Sequence, residues 1–459
     1  MKRAWASRPS ESLLLLMVSI TCALGFFLVA AARQVQQNQP VTPAILTALV
    51  MPLLFSGVLI SLHLLLIWRG TRVEQVILPA VALLLALGLT MIWRLRGADG
   101  VMQQMTRGFI PGMILVAALV FRPRLVEYIR QAAVPISIGG LLLTVITAFL
   151  GVQDETGSRL ALKLGPLPAI QVSEILKLTL IIFLAWYIDR EGEAAEGRAV
   201  ILPGGLRIPP LRYFLPGALF SGLAILALVK MSDFGAVLIM GILFVAMLYA
   251  GFQTRIFLTV AAIGLVFALA SGLLLATTWP VPDTIRVRFE AFLNPWSQAP
   301  WIVNGQPTGL TISEGPGYQI QQAIYAIIAG GITGSGLGFG YPQFIPLAHS
   351  DFIFPAIVEE MGAMTGFAIL ALYGVLALRL FRLAALLPRT QVFERLTLTG
   401  VALHFFAQVL IMVGGVTNLM PLTGVTLPFL SLGGMALLVN LVEVGLALAI
   451  MQRLEQEPA

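Results

Sequence analysis

The chain has 459 residues, of which 58% are hydrophobic and only 11% charged, whereas a soluble domain carries about a quarter charged residues. That balance excludes a water-soluble globular fold and points to a membrane protein. The formal net charge of +6 comes from basic residues scattered between apolar runs without forming a block, so it is read as a topology signal and nucleic acid is excluded as a partner.

At the N-terminus Met1-Lys2-Arg3 precede an apolar run from Ser12 to Ala32, longer than the roughly 7 to 15 residues of a secretion signal's apolar core. A retained membrane helix is predicted. The lone cysteine, Cys22, lies within this run and has no partner for an intrachain disulfide. Further runs long enough to cross the ~30 Å hydrocarbon layer lie at 44–68, 77–94, 108–121, 134–152, 174–188, 214–229, 234–251, 256–276, 352–380, 398–416 and 434–450. The expected fold is an all-α polytopic membrane protein of about 12 transmembrane helices, with a large extracytoplasmic loop, 277–351, before the tenth. Residues 1–130 are read as N-terminal membrane helices and 131–459 as the membrane core. With both termini cytoplasmic, most of the 28 Lys and Arg residues fall on the inner side, as the positive-inside rule requires. Arg94, Arg96 and Arg107, together in one outer segment, fit this worst.

The sixth run opens with Gln171-Val172-Ser173-Glu174-Ile175-Leu176-Lys177. Glu174 and Lys177, three apart, share a helix face and can pair; snorkelling of the lysine to the interface is the plainer alternative. With Arg159 and Lys163 in the preceding outer segment, Lys177 makes a third cation available to a phosphate. Asp233-Phe234-Gly235 opens another run and alone signifies only a turn or cap.

Segment 277–351 is the one long interruption of the membrane pattern, and ordered loops of that length are usually functional. It contains Arg286-Val287-Arg288, Asn294-Pro295-Trp296, a glycine-rich stretch at 330–340, and His349-Ser350-Asp351 directly before an apolar run. The Gly-x-Gly spacings lack a βαβ context, so they are not read as a dinucleotide site; they suit close helix packing and a backbone turning back at membrane depth. A helix N-cap is the plain role for Asp351, and His349 could pair with it. Glu359 and Glu360, one to two turns further on, need partners or a cavity, because an ionisable group at that depth costs about 2.5 to 3.5 kcal/mol on insertion scales. Near the C-terminus, Pro421-Leu422-Thr423-Gly424 and Leu427-Pro428-Phe429-Leu430-Ser431-Leu432-Gly433-Gly434 suggest an outer re-entrant loop. Asn440 and Glu443, three apart, are expected to face the bundle interior. There is no Walker loop, His-Glu-x-x-His, zinc-spaced cysteine set or Gly-x-Ser-x-Gly elbow, so ATP hydrolysis and triad chemistry have no support.

Taken in order, these segments resemble the shape, elongation, division and sporulation (SEDS) family that includes RodA, FtsW and SpoVE. The resemblance rests on Gly157-Ser158-Arg159-Leu160, Gln171 to Lys177, Asp233-Phe234-Gly235, Arg288 to Trp296, Gly317-Tyr318-Gln319 with Gln322, Gly334 to Gly338, His349 to Phe354, Glu359-Glu360-Met361-Gly362, and Pro421 to Gly434. Departures from the family pattern are Leu160 for Trp, Val172 for Pro, Leu347 for a common Glu, and Met435-Ala436 for Ser-Ser. The match covers roughly 134–450, and two N-terminal helices are extra to the family's usual number. The resemblance implies a peptidoglycan glycosyltransferase of the bacterial plasma membrane, active on its outer side, polymerising lipid II with inversion for cell elongation or division. It implies Asp351 as general base and Arg159, Glu174, Lys177, Gln319, Gln322, His349, Ser350, Glu360 and Ser431 as substrate-binding residues, with Arg159 and Lys177 on the leaving pyrophosphate. The implied partner is a class B penicillin-binding protein. No cofactor is expected for certain; the carboxylates could hold a divalent cation. The competing readings are a lipid II flippase and a non-catalytic scaffold for a penicillin-binding protein.

Overall fold

The computed structural model describes residues 8–40, 43–70, 74–152, 161–163, 169–198, 200–202, 206–208, 210–213, 215–252, 283–303 and 305–456. The expected span at 256–276 and the candidate Arg159 lie outside these residues. The described helices are α1 (Pro9–Gln36), α2 (Val50–Trp68), α3 (Ile77–Gln104), α4 (Ile110–Phe121), α5 (Leu125–Gln131), α6 (Ala133–Leu150), α7 (Val172–Gly197), α8 (Leu215–Met231), α9 (Phe234–Phe252), α10 (Asp283–Leu293), α11 (Pro316–Gly330), α12 (Ile353–Leu386), α13 (Val392–Val416) and α14 (Gly434–Gln456). Among the described residues there are also three two-stranded antiparallel sheets; the longest pairs Pro300–Val303 with Gln306–Thr311, with Gly305 between them at φ 75°.

Among the described residues, eight helical stretches are long and apolar enough to cross a membrane, against the twelve spans expected. The difference has identifiable sources. The expected spans 77–94 and 108–121 are arms of one helical stretch, Ile77–Phe121. In place of the expected loop it has a break at Gly97 (φ 64°, ψ −154°) and a π-helical turn, Met105–Phe109. A Cβ on Gly100 would lie 2.4 Å from Arg96 Cβ and 3.0 Å from Ile92 Cγ2, so the chain folds sharply back at Gly97, where a positive φ favours glycine. The run at 174–188 is helical within α7, but its charged residues keep it from the candidate spans, and Leu215–Met231 is shorter than the others. Segment 277–351 is likewise no open loop where described: it holds α10, a hairpin and α11.

The chain divides into two compact units, 1–126 with 322–379 and 426–459, and 127–321 with 380–425. In the first unit α1 packs on α2 and α3, and α14 packs on α4. In the second, α7 is the central helix, packing on α6, α9 and α13; it is buried on nearly every side, as its all-round apolar sequence from Leu178 to Ile188 demands.

Candidate active site

In the first unit, the candidate carboxylate Asp351 ends a tight turn. Leu347 stands at φ 55°, and its carbonyl accepts the amides of Ser350 (2.9 Å) and Phe352 (3.3 Å). The turn is braced from the C-terminal motif. The amide of Leu432 donates to the carbonyl of His349 (2.8 Å), and the Ser431 hydroxyl donates to the carbonyl of Ser350 (2.7 Å) while accepting the amide of Leu427 (2.8 Å). Gln104, buried within α3, holds that brace in turn: its amide nitrogen donates to the Ser431 carbonyl (2.9 Å) and its oxygen accepts the Gly433 amide (3.0 Å). Ser431 is thus buried and engaged with backbone, while His349, Ser350 and Asp351 are each half-buried. Helix α12 begins at Ile353, and the Phe352 carbonyl accepts its first bond, from Ala356. Phe352 thus directly precedes the helix, and Asp351 lies one residue further out. Burial and the nearby Arg96 guanidinium hold the His349 imidazole below its ordinary value.

Glu359 and Glu360 find the partners that their depth demands. Glu360, 1% exposed, accepts Arg94 Nε on Oε1 (2.9 Å) and the Gly338 amide on Oε2 (2.9 Å). Arg94 also donates to the Gly340 carbonyl (3.0 Å), and Glu359 Oε1 accepts the Tyr341 amide (2.7 Å). The glycine-rich segment wraps this turn of α12 through backbone bonds: Ser335 and Gly336 donate to the carbonyls of Glu359 and Glu360, and Ala363 and Met364 donate to those of Gly331 and Ile332. Contact is close enough that a Cβ on Gly334 would lie 2.3 Å from the Glu360 carbonyl oxygen. Helix α12 breaks here, with Gly362 at φ 82° and ψ 165°. Arg94, which fitted worst as a topology signal, is neutralised by Glu360. Neither Arg94 nor Gln104 was read from sequence as part of the site; Arg94 closes the apolar run 77–94, and Gln104 lies in the polar stretch between that run and the next.

In the second unit, Lys177 and Glu174 form the anticipated pair at 2.8 Å, both almost fully buried. Lys177 also donates to Gln408 Oε1 of α13 (3.3 Å). Asp233 belongs to the same cluster. Its Oδ1 accepts the amide of Ala236 (3.0 Å), which makes it the N-cap of α9, and it is bonded by the Ser173 hydroxyl and attracted by Lys177. Loss of water around it outweighs these contacts and raises its carboxyl above the ordinary range. Gln319 and Gln322, on α11, are half-buried; between them Gln321 is buried and donates to the Pro295 carbonyl (2.7 Å) and the Ser313 hydroxyl (2.9 Å). Among the described residues no group of three His, Cys, Asp or Glu gathers as a metal-ligand set.

These features define a polytopic helical membrane protein with a braced, acid-bearing turn at the mouth of a long helix. The chain belongs to the FtsW, RodA and SpoVE family of cell cycle proteins, whose model matches residues 74–456. It is 30% identical to the peptidoglycan glycosyltransferase RodA of Mycobacterium tuberculosis, over 98% of this chain and 90% of that protein. It is 36% identical to the probable peptidoglycan glycosyltransferase FtsW of Thiomicrospira cyclica, over 61% of this chain and 65% of that one. Among solved structures it resembles a chain of a peptidoglycan synthase complex that coordinates polymerization and crosslinking (TM-score 0.63, 27% identity, 82% of this chain and 97% of that chain). It also resembles the rod shape determining protein RodA of Thermus thermophilus (TM-score 0.55, 26% identity, 82% and 96%).

Proposed function

We propose that this chain is a peptidoglycan glycosyltransferase that polymerises lipid II at the outer face of the bacterial plasma membrane, with both termini cytoplasmic and a class B penicillin-binding protein as partner. The 4-hydroxyl of an acceptor GlcNAc attacks the anomeric carbon of the donor MurNAc; the new glycosidic bond forms as the bond to undecaprenyl pyrophosphate breaks, with inversion. The hydroxyl proton passes to Asp351, and a positioned base of this kind contributes about 10² to 10⁴-fold. The observation that carries the reading is the Asp351 turn: a half-buried acid just ahead of α12, on a turn braced by backbone and side-chain bonds, as a preorganised base requires. His349 and Ser350, in the same turn, are proposed substrate contacts, as are Gln319 and Gln322 on α11. Glu360 and Ser431 act through the supports described above.

Charge developing on the leaving pyrophosphate needs a cation, and Lys177 and Arg159 are proposed for it. Lys177 is paired with Glu174 and Gln408 in this structure, so phosphate oxygens would have to replace one of those contacts. The membrane partner is supported by the likeness to a chain of a peptidoglycan synthase complex.

The test is glycan formation from purified lipid II by protein reconstituted with its class B penicillin-binding protein, alongside a thermal melt, comparing wild type with Asp351→Asn. Asparagine is nearly isosteric, so the fold should persist while the rate falls about 10²-fold or more. A folded Asp351→Asn protein that polymerised at the wild-type rate would remove Asp351 from the mechanism, and transport of lipid II without polymerisation by wild type would favour the flippase.

A further inference from the structure

The family match begins at residue 74, which leaves α1 and α2 outside it, yet the last turn of α1 touches both supports of Glu360. Gly338 is held from two sides: its amide donates to Glu360 Oε2 (2.9 Å) and its carbonyl accepts Gln36 Nε2 (2.8 Å). It sits at φ 90°, and a Cβ there would lie 2.5 Å from Ala32 Cβ, so α1 and the glycine-rich segment are in direct contact. One turn back along the face, Arg33 donates to the carbonyls of Trp93 and Arg94 and lies over the Trp93 ring, 5.0 Å from its centroid. Arg94 is the residue whose guanidinium grips Glu360 Oε1 and the Gly340 carbonyl. The far end of α1 is anchored too. Arg8 donates to Glu11 and to the Glu74 carbonyl, and His63 of α2 is held between Glu11 and Ser12. A helix tied at both ends transmits displacement rather than absorbing it.

We propose that α1 is a positioning element of the active site. Through Ala32, Arg33 and Gln36 it sets the place of residues 336–340 and of Arg94, hence of Glu360 and the first turns of α12, and so the orientation of the Asp351 turn that precedes them. Positioning for catalysis rests on the reading of Asp351 as base; the contact of α1 with the glycine-rich segment does not.

The experiment uses the full-length protein and three versions of position 36: wild type, Gln36→Met, which removes the donor at similar length, and Gln36→Lys, which can still donate. Hydrogen–deuterium exchange over 331–340 reads the contact without reference to activity, and steady-state polymerisation of lipid II reads positioning. Gln36→Met should exchange faster in 336–340 and lose about fivefold in kcat with KM unchanged, the size of one neutral hydrogen bond carried into the barrier. Gln36→Lys should recover both, and thermal melts should not separate the three. Unchanged exchange in Gln36→Met overturns the contact. Faster exchange with unchanged kcat overturns positioning while leaving the contact. If wild type itself makes no polymer, the enzymatic reading fails and the positioning role fails with it, but the exchange result still stands for the contact.

Discussion

Asp233 and Asp351 both stand at the entrance of a long apolar helix, and the structure uses them differently. Asp233 is the residue directly before α9 and accepts the Ala236 amide, as an N-cap does. Asp351 sits one residue further out, with Phe352 between it and α12, on a turn whose carbonyls are tied down by Leu432 and Ser431. In the first case the acid caps its helix; in the second the bonds that brace the turn fall on the neighbouring carbonyls of His349 and Ser350. Similar local sequence, an acid followed by Phe, therefore stands in two settings that differ by one residue in their offset from the helix start.

The acids deeper in each unit extend the comparison, and they should give the largest effects on stability. Replacing Arg94 with Met leaves Glu360 buried without its cation, which costs about 3 to 5 kcal/mol when a buried pair is broken on one side. The double replacement Arg94→Met with Glu360→Met should return much of this, since an apolar pair of similar volume is often neutral. Denaturation of the purified protein checks it: single and double variants melting alike would show that no such pair holds the glycine-rich segment. Lys177→Met should likewise destabilise, by leaving Glu174 unpaired, and adding Glu174→Gln should relieve that loss. Stability and turnover then separate the two units. If Lys177 serves the pyrophosphate, the Lys177→Met, Glu174→Gln protein stays folded but inactive; a stable, active double variant would assign Lys177 to structure alone.

A smaller effect tests the cap. Asp233→Ala removes the acceptor for the Ala236 amide and should cost about 1 kcal/mol, within the usual 0.5 to 2 range for an N-cap, whereas Asp233→Asn should lose only a few tenths. Equal losses in the two would mean that the Ser173 and Lys177 contacts, rather than capping, set the value of this carboxylate.

Much of this was legible in the sequence, for reasons that can be named. Apolar runs marked most helices because every backbone polar group in a bilayer must be satisfied within the segment, and a three-residue spacing put Glu174 against Lys177. The need of Glu359 and Glu360 for partners also followed from depth alone. What could not be read was which partner answered. Arg94 is 266 positions from Glu360, and nothing local distinguishes a cation that sets topology from one that neutralises a buried acid. The turn at Gly97 was read as a loop because charge and glycine look alike in both. Gln104 and Ser431 are separated by 327 positions, so nothing local reveals that the Ser431 hydroxyl braces the Ser350 carbonyl.

The smallest expected effect concerns His349, the neighbour that could itself compete with Asp351 for the proton. Its imidazole titrates below its ordinary value of 6.5 because burial and Arg96 both disfavour the charged form. As pH falls through 6.5 the unfolded chain binds this proton before the folded one does, so stability declines, and the decline ends once pH is below the folded value. Wild type should therefore show a slight fall in melting temperature on acidification from pH 7.5 that is absent in His349→Gln; matching profiles would mean that His349 contributes nothing to it. At pH 7 the imidazole is neutral and chemically able to accept a proton, so its role must be separated from that of the acid. Were His349 the base, the acid limb of the pH–rate profile would disappear in His349→Gln along with about 10²-fold of the rate. With Asp351 as base, His349→Gln should lower turnover by less than about tenfold and leave that limb in place, because the proposed base is still present two residues away.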